Sequence, residues 1–235
     1  MNRIDVFLVH GIAVNLNGQT YYSDFVDAIR KKLPIQADVN FHPIVWNELL
    51  YKKEQQIYRW MADLKYDKLR WIGCTLIGDV LAYSPPEGIP APGDFYYDVN
   101  KLLETEYDTI AKAYPKSKKV ILSHSLGTQI SFGFSFRREI DLLVTMGSPI
   151  LYFSVRFKDY GKFPEATLHR MVNFYNPFDP ISTLVSRNPA LRQCRDVKVF
   201  SWNPLNCLPM HAHKSYWTAG KVHDAIAQEI LKLSS

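Results

Sequence analysis

The sequence predicts an α/β protein with a mostly parallel sheet and helices on both faces. Short uncharged runs that read as strands alternate with helical spacings along most of the 235 residues. The residues with chemistry in them fall in the loops after those runs, where the functional loops of a parallel sheet gather. With 47% hydrophobic residues the chain can bury a substantial core, and one domain accommodates it best.

The organising stretch is Val120 to Gln129. Val120, Ile121 and Leu122 read as a buried strand that stops at small residues around Ser125, and Thr128 to Arg138 reads as a helix. A strand, a sharp turn with a serine at its tip and a helix make a nucleophile elbow. The turn needs small residues two before and two after the serine. Here they are Ser123 and Gly127, where glycine at both places is the usual pattern.

Ahead of the elbow, Ile4 to Val9 is an apolar run broken only by Asp5, and it ends at His10-Gly11. From about Tyr21, the spacing of Phe25, Ile29 and Leu33 predicts a helix with Ser23 as N-cap and Pro34 past its end. Val39 to Trp46 is the next strand, and Pro43 argues for an edge or a kink. Between residues 47 and 93 no strand appears. Basic and aromatic residues (Lys52, Lys53, Tyr58, Arg59, Trp60) crowd a helical pattern that ends in a Pro-rich loop, so the segment reads as a helical cap over one end of the sheet. That mixture suits a substrate lid, a membrane-surface contact, or plain packing against the body.

Asp94 to Tyr114 reads as a helix, Asp141 to Met146 and His169 to Tyr175 as strands, and Asp196 to Trp202 as the last strand. A loop with His211 and His213 then precedes a final helix from about Ala219 to Leu233.

Composition narrows the function classes. A net charge of +5 is spread over short groups at helix ends and turns, with no nucleic-acid motif, so no nucleic-acid partner is expected. Three cysteines, Cys74, Cys194 and Cys207, argue against a disulfide framework and for a reducing, cytoplasmic setting. No signal-peptide pattern and no apolar run of about 20 residues is seen.

A serine hydroxyl needs a base to take its proton, and the base needs an acid to orient it. Asp179, between Pro177 and Pro180, is the candidate acid, though a turn aspartate is the plainer reading of that residue alone. His213 is the candidate base, with His211 as the alternative. His124 adjoins the serine and is expected to line the turn.

The order Ser125, Asp179, His213, with the motifs Phe7-Leu-Val-His-Gly11, Ser123-His-Ser-Leu-Gly127, Met146-Gly-Ser-Pro149, Asn176-Pro-Phe-Asp-Pro180 and His213-Lys-Ser-Tyr216, resembles the lipase and esterase branch of the α/β-hydrolase superfamily. The resemblance implies a catalytic triad of those three residues and an oxyanion hole from the amides of Ile12 and Leu126. It also implies hydrolysis of a small acyl ester with no cofactor or metal. Thioesterase, amidase and acyltransferase chemistry use the same triad, and a non-catalytic binding protein on this fold is the rival from another class.

Overall fold

The structure, a computed structural model, describes residues 3–11, 18–46, 49, 83, 91–156, 163–199 and 208–233. Most of the expected cap at 47–93 therefore lies outside the described residues, as do Ile12, Cys74, Cys207 and the end of the last expected strand.

Six strands, β1 (Ile4–Val9), β2 (Val39–Ile44), β3 (Lys118–His124), β4 (Leu142–Met146), β5 (Met171–Tyr175) and β6 (Arg195–Lys198), form one sheet in the order β2-β1-β3-β4-β5-β6. All the pairings are parallel. β2 is an edge strand, and Pro43, which has no N–H to donate, sits in it opposite Leu8. The helices are α1 (Gly18–Arg30), α2 (Phe95–Ala113), α3 (Leu126–Phe134), α4 (Ile150–Arg156), α5 (Pro209–Lys214) and α6 (Gly220–Leu231). Among the described residues no helix is long and apolar enough to cross a membrane.

The period of two along β1 separates two cores. Ile4, Val6 and Leu8 join Val120, Leu122, Val144 and Phe174 on one face, covered by Phe25 and Ile29 of α1 and Ile226 and Ile230 of α6. Phe7, Val9, Ile121 and Leu143 turn the other way, against Val99 and Leu103 of α2 and Ile130 of α3. Central strands buried on both faces explain the uncharged runs in the sequence. Asp5 is the exception and is fully buried. Arg3 Nη2 and His42 Nε2, each 2.9 Å from Oδ1, and Ser117 Oγ, 2.5 Å from Oδ2, donate to it. Burial pushes this carboxyl up, but those three donors together hold it below the usual range.

Several elements differ from the expectations, which do not include the helix Ile150–Arg156. α1 starts at Gly18, so Ser23 is inside the helix and not its N-cap; the buried stripe of Tyr22, Phe25, Val26 and Ile29 passes straight through its turn. The elbow helix begins at Leu126 and stops at Phe134 instead of Arg138, because Ser135 Oγ donates to Phe132 O and turns the chain out. The segment carrying His211 and His213 is the short helix α5 and not a loop.

Glu229 of α6 is only 3% exposed, yet it gathers three cations. Arg195 Nη2 (2.6 Å), Lys232 Nζ (2.7 Å) and Arg170 all donate to its carboxylate, tying α6 to the starts of β5 and β6. Burial pushes this carboxyl up, and Lys232, Arg170 and Arg195 outweigh that and hold it below the ordinary value. The depressed group contributes stability above the unfolded-state value of about 4.3 and loses it as pH falls through the folded value. Glu229→Gln should therefore lower the unfolding free energy by about 1–3 kcal/mol at neutral pH. In urea melts from neutral to acid pH, the gap between wild type and variant should close below about pH 4.

Candidate active site

β3 ends in a turn that strains Ser125. Its φ is 54° and ψ −129°, and it has the one positive φ outside glycine among the described residues. Such a conformation costs about 1–3 kcal/mol and persists where the surroundings over-determine it. Here the Ser125 N–H donates to Met146 O (2.9 Å), while Thr128 Oγ1 (2.7 Å) and Thr128 N (2.9 Å) donate to Ser125 O.

The small flanks have visible reasons. A Cβ added at Gly127 would fall 2.3 Å from His10 O and 2.4 Å from Val9 O, so only glycine lets α3 lie this close to the end of β1. Ser123 is fully buried, and its hydroxyl donates to Val144 O at 3.1 Å. The turn accommodates a serine where glycine is usual because that one polar atom has a partner.

Asp179 lies in the loop after β5 and is 4% exposed. Its Oδ1 accepts from Ile181 N at 2.9 Å, and its backbone N–H donates to Asn176 O at 3.0 Å. Oδ2 lies 2.9 Å from His213 Nδ1. A carboxylate can only accept, so Nδ1 carries the proton and Nε2 keeps the lone pair a base needs. His213 is 7% exposed, whereas His211, two residues back on α5, is exposed. The structure thus brings Asp179 and His213 together. Among the described residues no hydrogen bond joins Ser125 Oγ to His213 in the free chain.

His124 links His213 to the turn after β3. Its Nε2 donates to the backbone carbonyl of His213 at 2.8 Å, and the two ring centroids are 4.6 Å apart. Burial first, then the neighbouring His213, pushes His124 well below the usual histidine range, so it is neutral with its proton on Nε2. His10 instead shapes the loop after β1. Its Nδ1–H donates to Gly11 O at 2.6 Å and its ring stacks on Trp46 at 4.6 Å.

Of the two expected oxyanion amides, Ile12 lies outside the described residues, although the adjacent Gly11 packs so tightly on the elbow that a Cβ there would fall 2.4 Å from Ser125 Cβ. Leu126 is the first residue of α3, where a helix leaves its N–H without an intrahelical partner.

Sequence reasoning missed one contact. Tyr216 Oη donates to Asp179 Oδ2 at 3.0 Å, the oxygen that His213 uses. The signal was the spacing: residues 213 and 216 are three apart on continuous helical backbone running from α5 into the 3-10 turn Ser215–Trp217.

No family model and no curated protein matches the sequence. Solved structures do match. A protein of Xanthomonas campestris pv. campestris described as a hydrolase of the alpha/beta superfamily is 12% identical with a TM-score of 0.52, over 97% of this chain and 99% of its own. An esterase of Pyrococcus furiosus is 11% identical with a TM-score of 0.51, over 98% of this chain and 83% of its own. At such identities the likeness is one of backbone architecture, and with the parallel sheet and the turn after β3 it shows that the chain has the α/β-hydrolase fold.

Proposed function

We propose that the protein is a serine hydrolase that cleaves carboxylic esters through Ser125, His213 and Asp179. The observation that carries this reading is the buried His213–Asp179 hydrogen bond, formed by two residues 34 apart in sequence, with His213 also held by His124, the residue before the strained Ser125. A buried, oriented imidazole tethered to the residue before a serine on such a turn has a plain use in acyl transfer.

In the proposed reaction, Ser125 Oγ attacks the ester carbonyl carbon while its proton passes to His213 Nε2. The carbonyl oxygen takes the displaced electron pair, and the N–H groups of Leu126 and Ile12 receive that charge; each such donor is worth roughly 3–4 kcal/mol. Collapse of the tetrahedral intermediate breaks the bond to the leaving oxygen, which takes the proton from His213. Water, deprotonated by His213, then repeats the attack on the acyl-enzyme and releases the acid. Asp179 keeps the Nδ1–H tautomer throughout and stabilises the imidazolium. The sequence of 47–93 suits a cap that would bias the pocket toward acyl or aryl groups. A reducing compartment suits the buried free thiol of Cys194.

A second reading, a non-catalytic ligand-binding protein on this fold, draws on the missing hydrogen bond between Ser125 and His213 in the free chain. Unliganded catalytic sites are often loose at this contact and tighten on substrate. Labelling separates the two readings. Intact-mass analysis after exposure to a fluorophosphonate should show a single adduct on the wild type and none on Ser125→Ala; a folded wild type that takes no adduct would favour the binding protein.

The base assignment has its own check. With an ester panel graded by acyl length, His213→Ala should lower kcat/KM by on the order of 10⁴-fold or more, and His211→Ala by less than about threefold. The reverse ranking would move the base to His211.

A further inference from the structure

We propose that Tyr216 is a positioning residue of the acid–base pair: its phenol fixes the Asp179 oxygen that faces His213 and sets the pH at which His213 can accept a proton. The inference deepens the serine-hydrolase reading and rests on its assignment of His213 as base.

The phenol has three polar neighbours, the Asn176 N–H, Asp179 Oδ2 and the Ser182 side chain, and the N–H fixes what its oxygen accepts. Asn176 N–H donates to Tyr216 Oη at 2.7 Å, so the phenol oxygen accepts there and its O–H is aimed at Asp179 Oδ2, 3.0 Å away. The result is a directed chain in which Asn176 N–H polarises the phenol and the phenol donates to the carboxylate. Tyr216 is fully buried, and burial, then the nearby Asp179, pushes its phenol above the ordinary tyrosine value, so it remains a donor through the working pH range. The fit is tight. A Cβ added at Gly147 would fall 2.9 Å from Asp179 Oδ2, 3.0 Å from Tyr216 Cε2 and 3.1 Å from His213 Cε1, which shows three groups meeting on one bare backbone.

One oxygen thus serves two donors, His213 Nδ1–H at 2.9 Å and Tyr216 O–H at 3.0 Å. The phenol draws charge from the oxygen that stabilises an imidazolium at His213, and so lowers the affinity of His213 for its second proton. Among the described residues, the other titratable group facing this pair is His124 from the end of β3, with ring centroids 4.6 Å from His213 and 5.6 Å from Tyr216. His10, at the end of β1, acts on His124. Burial and the neighbouring His213 keep His124 neutral, so it adds no charge beside the pair.

The sign follows. Without the phenol the carboxylate oxygen is wholly committed to His213, the imidazolium is favoured and the base titrates higher. Hydrolysis needs neutral His213, so its acid limb moves to higher pH. A packing role alone would lower stability or rate without moving that limb.

The experiment is an NMR titration of the His213 ring, assigned against His213→Ala, in the wild type, in Tyr216→Phe and in protein carrying 3-fluorotyrosine at position 216. It is run beside the pH profile of fluorophosphonate labelling. Tyr216→Phe should raise the His213 midpoint by about half to one pH unit, with labelling below both midpoints falling up to about tenfold and labelling at high pH preserved. Fluorine makes the phenol a stronger donor, so the fluorotyrosine protein should shift the midpoint down. An unmoved midpoint, or shifts of the same sign in both proteins, overturns the proposal. If Tyr216→Phe does not fold, the fluorotyrosine protein decides alone, a downward shift supporting the role and any other result refuting it. A folded wild type that takes no label sinks the hydrolase reading, while the titration still decides what Tyr216 does to His213.

Discussion

The strained turn at Ser125 is the constraint on which the rest of the site depends. A positive φ in a residue with a side chain persists because every backbone neighbour is committed elsewhere: Ser125 N–H to Met146 O, Ser125 O to Thr128. The end of β1 closes on it from the other side, with Gly127 against the carbonyls of Val9 and His10. Three parallel strands therefore have to end level with one another for the hydroxyl to be presented at all, which couples the geometry of one atom to the register of β1, β3 and β4.

From that turn a continuous polar path runs to the acid loop. Thr128 Oγ1 meets Ser148 Oγ at 2.9 Å, Ser148 O accepts from Thr183 Oγ1 and N, and Thr183 O accepts from Asn173 Nδ2. Asn173 also donates to Asp196, which takes the N–H groups of Val185 and Ser186. These groups have no part in the proposed chemistry. They pin the far end of the loop that begins at Asn176, so that Asp179 is fixed at both ends of its loop and not merely stiffened by Pro177 and Pro180. The charged groups divide along the same axis. Asp5, Lys118 with Asp141, and the Arg170 and Arg195 partners of Glu229 sit toward the starts of their strands, whereas the groups proposed for catalysis follow strand ends.

The centre of the sheet was legible in the sequence because its inner strands are buried on both faces, and uninterrupted runs such as Val120 to Leu122 leave little else to assign. Helix ends were less so. Ser23 looks like a cap in the letters, and only the position of the buried stripe shows that the helix passes through it. The pairing of Asp179 with His213 could be expected from order and motif, but no local signal says which oxygen carries the bond or that a tyrosine shares it. The choice between His211 and His213 depends on which face of a six-residue helix turns inward, which a pattern of two histidines cannot encode.

The proposed base and nucleophile are tied to the same strand end. His213 is held through its ring by Asp179 and through its carbonyl by His124, the residue before Ser125. The β3 terminus thus carries Ser125 and, through His124, one of the two supports of His213. That arrangement favours a neutral His124, since a second positive charge 4.6 Å from an imidazolium would oppose the proposed transfer of the serine proton to His213. Burial supplies that neutrality. The Nε2–H tautomer that burial leaves is also the one that can donate to the His213 carbonyl, so a single environment both silences the ring electrostatically and makes it a tether.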